Sequence, residues 1–163
     1  MAAAMNDTSI AVTPAEMAER MNAVSGGWNR VVGLRFVHVA ADEVRAEWDV
    51  TEQHHQPYGI VHGGVYCTVI ETVCSVGAAL FAAKSGLGAV GLDNHTSFLH
   101  AVRSGKLTVT ARPLTRGRRT HLWEATVTDG QGRVAASGRV RLLCVESDSL
   151  LAGERVGTSG DKA

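Results

Sequence analysis

The chain has 163 residues, 45% apolar and 20% charged, the composition of one soluble globular domain long enough to bury a core without disulfide or metal staples. Lys and Arg total 16 against 16 Asp and Glu, a balance that argues against a dedicated nucleic-acid or membrane-surface protein. The three cysteines, Cys67, Cys74 and Cys144, are odd in number and lack a CxxC, which argues against a disulfide framework and a structural zinc site and for reduced thiols in a cytoplasmic protein.

Residues 1–12 read as a loose N-terminal arm without the basic and apolar runs of a secretory signal. Thr13-Pro14-Ala15-Glu16 spells a helix start, with Thr at the N-cap, Pro at the first position and Glu at the third. That helix is predicted to reach Val24 and stop at Ser25-Gly26-Gly27; Trp28 to Gly33 is read as a further turn. From Leu34 the apolar period becomes two, and segments 35–41 and 44–51 are predicted as a hairpin. In the second, Val44, Ala46, Trp48 and Val50 alternate with Arg45, Glu47 and Asp49, so one face is apolar and the other wet. A loop over 52–64 leads into a long apolar helix predicted over 64–84, about 30 Å at ~1.5 Å per residue. Four strands follow at 89–99, 106–114, 120–128 and 134–145. The tail 146–163, rich in Ser, Gly and charge, is expected to be disordered, which leaves 13–145 as the folded domain.

The long helix is long enough to span a membrane, but Glu71 at its centre would cost roughly 2.5–3.5 kcal/mol in mid-bilayer. It is therefore read as a buried helix of a soluble fold. A helix that is apolar almost all round must be covered, and an antiparallel sheet curling around it is the simplest cover. Such a sheet leaves edges that need partners, so dimers or larger assemblies are expected.

Chemistry concentrates around this helix. Thr68, Glu71, Thr72 and Ser75 fall at i, i+3, i+4 and i+7 and form one narrow polar stripe, read either as a solvent seam or, given a single acid and three hydroxyls, as a pocket wall. Gly63 and Gly64 place bare N–H groups at the positive end of the helix, suited either to an oxyanion or simply to a tight turn. His62 has the chemistry of a base, an oxyanion donor or a positioning group. His54 and His55 have no Cys or Asp at ligand spacing, so no metal is expected. Cys74 and Ser75 lack a histidine elbow and are not read as nucleophiles. The basic turns around Arg103 and Thr115-Arg116-Gly117-Arg118-Arg119-Thr120 suit a phosphate clamp as well as solvated loops. Val65, Ile70 and Val73 are expected to wall an apolar pocket.

The block H-G-G-V-Y-C-x-x-x-E-T, preceded by Gln56 and followed by a hydroxyl residue, resembles the hot-dog-fold acyl-CoA thioesterases. Within them it resembles the Arthrobacter-type 4-hydroxybenzoyl-CoA thioesterases and the related phenylacetate-degradation thioesterases. The resemblance implies an α+β fold, with a six-stranded antiparallel sheet wrapped around the long helix and a short N-terminal helix. It implies that Glu71 is the catalytic carboxylate, as nucleophile or as general base. The Gly63 N–H would polarise the thioester, Gln56 and His62 would position it, and Ser75 would hold substrate or water. Gly64, Arg103, Arg119 and Thr120 would contact coenzyme A, which is part of the substrate; no separate cofactor is implied. Active sites would be shared within a homodimer or homotetramer. A hot-dog dehydratase or hydratase and a non-catalytic acyl-CoA-binding protein are the alternatives.

Overall fold

The computed structural model describes residues 12–155. Most of the expected arm, residues 1–11, and the last part of the expected tail, residues 156–163, lie outside the described residues. Helix α1 (Pro14–Val24) opens with the capping box written in its sequence: the Thr13 hydroxyl accepts from the Glu16 N–H while the Glu16 carboxylate accepts from the Thr13 N–H at 2.7 Å. The segment read as a turn is a short helix, α2 (Gly27–Val32), closed by Gly33 in the left-handed conformation. Strands β1 (Arg35–Val39) and β2 (Val44–Val50) follow, then a single 3-10 turn (Glu52–His54), helix α3 (Gly63–Ala83) and strands β3 (Leu87–Phe98), β4 (Gly105–Arg116), β5 (Thr120–Asp129) and β6 (Val134–Glu146). Part of the expected tail is ordered, because β7 (Leu150–Leu151) pairs with β8 (Glu154–Arg155) as a small ribbon.

All six long strands form one antiparallel sheet in the order β1-β2-β4-β5-β6-β3. The alternating apolar residues of β2, β4, β5 and β6 face α3, while β1 packs against α1. On β2, Val44, Ala46 and Trp48 are buried; on β5, Trp123, Ala125 and Val127 are buried. The sheet wraps the helix, whose Val69, Ile70, Val73, Cys74 and Ala78 are fully enclosed. Gly77 lies directly beneath the Trp123 indole, where a Cβ would overlap the ring. The expected helix-in-sheet architecture is the one observed.

The two edges of the sheet differ. On β1, the Asn22 side chain of α1 accepts from the Phe36 N–H and donates to the Phe36 carbonyl, both at 2.8 Å, so it caps that edge as a neighbouring strand would. The opposite edge, β3, is 12 residues long, with Leu92 half-exposed at 52% and a bulge between Gly91 and Asp93.

Candidate active site

The loop before α3 is built as a tight hairpin. His55 bridges Val61, the Gln56 N–H donates to the Ile60 carbonyl at 2.9 Å, and the Gly59 N–H donates back to Gln56 O at 2.8 Å. Pro57 sits at the second turn position, and Gly59, the fourth, supplies the positive φ, +67°, with which a three-residue hairpin loop closes. This turn presents Gln56, half-buried, to a cavity of about 230 Å³ that Gly63, Tyr66 and Phe98 also line.

His62 is the N-cap of α3: its Nδ1 accepts from the Gly64 N–H at 2.9 Å. That bond engages the Gly64 N–H, so in this chain Gly64 offers no free amide to a ligand, and it turns the His62 ring back onto the helix start. The Gly63 N–H has no partner among the described residues and stands at the positive end of the helix. The Phe98 ring occupies the space where a Cβ on Gly63 would be, so only glycine admits it here. Burial pushes the Tyr66 phenol up to about 12, which keeps it a hydrogen-bond donor, and its hydroxyl has no partner among the described residues.

Glu71 is half-buried, and the Ser75 hydroxyl donates to its Oε1 at 3.1 Å. Its carboxylate lies against the backbone of Gly91, where any Cβ would overlap Oε1. The polar stripe therefore divides. Thr68 accepts from the Trp28 indole N–H at 2.9 Å, and Thr72 donates to Asn29 at 3.2 Å, so these two hydroxyls seat α2 on α3 and do not wall a pocket. Ile70 and Val73, expected as pocket walls, point into the core. The apolar groove beside Ser75 is lined instead by Val76, Ala79, Leu80, Ala83 and Leu87, with Met21 of α1, and has a volume of about 700 Å³. Cys74 is enclosed, and burial together with Glu71 and Glu124 raises its thiol, which removes it as a thiolate nucleophile.

Glu71 and Gly63 are eight residues apart on one helix, about 12 Å along its axis. One carbonyl group cannot meet both within one chain. Arg103 and Thr120 likewise lie at opposite ends of β4, about 35 Å apart. Arg103 Nη1 donates to the carbonyls of Tyr58 and Gly59, at 2.9 and 3.0 Å, in the hairpin that carries Gln56. Arg119 and Thr120 are exposed in the β4–β5 turn, and Thr120 borders a cleft of about 570 Å³ with Arg139 and Arg141. Among the described residues no group of three His, Cys, Asp or Glu is placed to hold a metal; His54 contacts Thr51 and Val32, and His55 contacts the Arg103 carbonyl.

Gly91, Phe98 and Tyr66 were not singled out from the sequence. A glycine inside a predicted strand is a signal for close backbone approach, and Gly91 was legible on that ground. Phe98 and Tyr66 carried no signal beyond ordinary core composition.

The core helix thus carries an acid at its middle and, at its start, an amide without a partner among the described residues, with the glutamine hairpin beside it. Residues 58–136 match the model of the thioesterase superfamily. A Mycobacterium tuberculosis protein, Rv1847, provisionally called an esterase, is 43% identical over 118 residues, 71% of this chain and 84% of that protein. Its solved structure superposes with a TM-score of 0.73 at 41% identity, covering 75% of this chain and 98% of that one. The 1,4-dihydroxy-2-naphthoyl-CoA hydrolase of Escherichia coli is 30% identical over 125 residues, 75% of this chain and 90% of that enzyme. A structure of thioesterase PA1618 from Pseudomonas aeruginosa superposes with a TM-score of 0.74 at 28% identity, over 78% of this chain and 93% of that one. The chain belongs to the thioesterase superfamily.

Proposed function

We propose that the chain hydrolyses an aromatic or medium-chain acyl-CoA to the free acid and coenzyme A, at sites completed between two copies of itself. The observation that carries this is the placement of Glu71 and Gly63 along the same open edge. Glu71 lies against Gly91 near the start of β3, and Gly63 lies against Phe98 at its end. A second copy pairing antiparallel through β3, about a two-fold axis between Asn94 and His95, sets Gly91 of each chain opposite Phe98 of the other. Glu71 of one chain then faces Gly63 and Gln56 of its neighbour.

In that arrangement the thioester oxygen lodges at the Gly63 N–H, with Gln56 holding the acyl-sulfur end. Glu71, oriented by the Ser75 hydroxyl, takes a proton from water as the water attacks the carbonyl carbon. The oxyanion of the tetrahedral intermediate is stabilised by the amide and the helix terminus, worth about 3 kcal/mol for one such donor. Collapse breaks the carbon–sulfur bond and the proton returns to the leaving thiolate. Direct attack by Glu71 through an anhydride uses the same groups; single turnover in heavy-oxygen water separates the routes, since only the anhydride path places label in Glu71. The groove beside Ser75 is apolar enough for an aromatic ring or an aliphatic chain, and the E. coli relative acts on a bicyclic aromatic acyl-CoA. Kinship with the 4-hydroxybenzoyl-CoA and phenylacetate-degradation thioesterases is part of this proposal. Arg119 and Thr120 are assigned to the nucleotide end of coenzyme A.

Free thiol released from benzoyl-, phenylacetyl-, naphthoyl- and decanoyl-CoA tests it. Glu71→Gln should lower kcat by about 10²- to 10⁴-fold, while Cys74→Ala leaves it unchanged. Binding without turnover, or addition of water to an enoyl-CoA, would contradict hydrolysis.

A further inference from the structure

We infer that Arg103 is a positioning residue that holds the Gln56 hairpin in its working geometry, which differs from the coenzyme A contact expected of it. The inference rests on the hydrolase function proposed above. The hairpin tip, from Gln56 to Ile60, packs little of itself into the core: Tyr58 is 79% exposed. Its attachments run to the two residues Val102 and Arg103. The Val61 N–H donates to the Val102 carbonyl at 2.9 Å, and His55 Nε2 donates to the Arg103 carbonyl at 2.8 Å. The guanidinium closes the tip: one nitrogen, Nη1, donates to both Tyr58 O and Gly59 O. These two carbonyls point the same way because Gly59 is left-handed, and a Cβ on Gly59 would stand 2.9 Å from Nη1. The turn is thus shaped to receive the guanidinium, and the guanidinium fixes the residue three positions before the glycine. A charged donor shared by two carbonyls is a stronger tie than a neutral hydrogen bond.

A phosphate contact and a hairpin clamp predict opposite results with a truncated substrate. An N-acetylcysteamine thioester carries the same acyl group and sulfur but no phosphate. If Arg103 clamps the hairpin, Arg103→Ala lowers kcat by the same factor, about 10- to 100-fold, for decanoyl-CoA and for decanoyl-N-acetylcysteamine, with KM changed less than about threefold. Arg103→Lys, which keeps one charged donor, recovers part of the loss, and Gly59→Ala reproduces it. Amide hydrogen exchange reads the clamp without activity: the Gln56 and Gly59 amides exchange faster in Arg103→Ala than in wild type. A raised KM for the CoA ester with an unaffected N-acetylcysteamine ester, or unchanged exchange at Gln56 and Gly59, overturns the inference. A wild-type protein that cleaves neither thioester overturns the parent function, and with it the catalytic consequence, whatever the exchange shows.

Discussion

Glu71 is set by its neighbours more than by its own burial. One hydroxyl, Ser75, donates to it, and one glycine, Gly91, leaves the space its carboxylate occupies. Gly91→Ala adds a single methyl group on an exposed stretch of strand, yet that methyl overlaps Oε1. The expected result is a fall in kcat of about 10- to 100-fold from displaced geometry, with a melting temperature close to wild type, read by steady-state kinetics beside thermal unfolding. Equal activity in Gly91→Ala would show that the carboxylate does not work from this position. At this scale the sequence was informative where chemistry is costly. A lone acid on a greasy helix and a glycine pair at its start stand out because neither is cheap to place there. It was silent on Phe98 and misleading on Thr68, Thr72, Ile70 and Val73, because spacing along one helix says which residues share a face but not what lies against that face.

At the scale of elements, two opposing terms meet at Gly77. Alanine in mid-helix is favoured over glycine by about 1 kcal/mol, whereas forcing a methyl group into a packed core costs about 1–3 kcal/mol. The Trp123 indole above Gly77 is rigid and fully buried, so the steric term should win. Gly77→Ala is predicted to lower the urea midpoint; a raised midpoint would mean that the indole moves aside freely. The elements themselves were largely legible: the capping box, the change of period at Leu34 and the alternation on β2 each appear as their local chemistry requires. Strand ends moved by two residues at most: β4, β5 and β6 run past their predicted limits and β3 starts two residues early, because pairing with a neighbour extends a strand past its own pattern, whereas β1 and β2 stop one or two residues short. The strand order, the bulge in β3 and the ribbon β7–β8 depend on contacts between distant residues and left no local mark.

For the whole molecule, acid should loosen the fold below the ordinary histidine range. His54 and His121 are buried, and loss of hydration is the first cause holding each below its usual value of 6.5. With the folded value depressed, the unfolded chain binds protons first as pH falls through 6.5, so stability is full above that pH and declines below it. Denaturant midpoints between pH 8 and pH 5 should fall, and His54→Gln should flatten the dependence; a flat wild-type profile would contradict the assignment. The β1 edge is capped by Asn22 while β3 is open, so association is expected through β3. Leu92→Lys should shift sedimentation toward monomer and remove activity together, because the proposed site joins two copies across that edge. The most direct test is complementation. Glu71→Ala and Gln56→Ala are each made, found nearly inactive, then unfolded and refolded together in equal amounts. If each site joins Glu71 of one chain to Gln56 and Gly63 of another, half the dimers are mixed and carry one intact site of two, so activity returns to about one quarter of wild type. Activity that stays at the level of the separate variants would place the whole site within one chain and contradict the account.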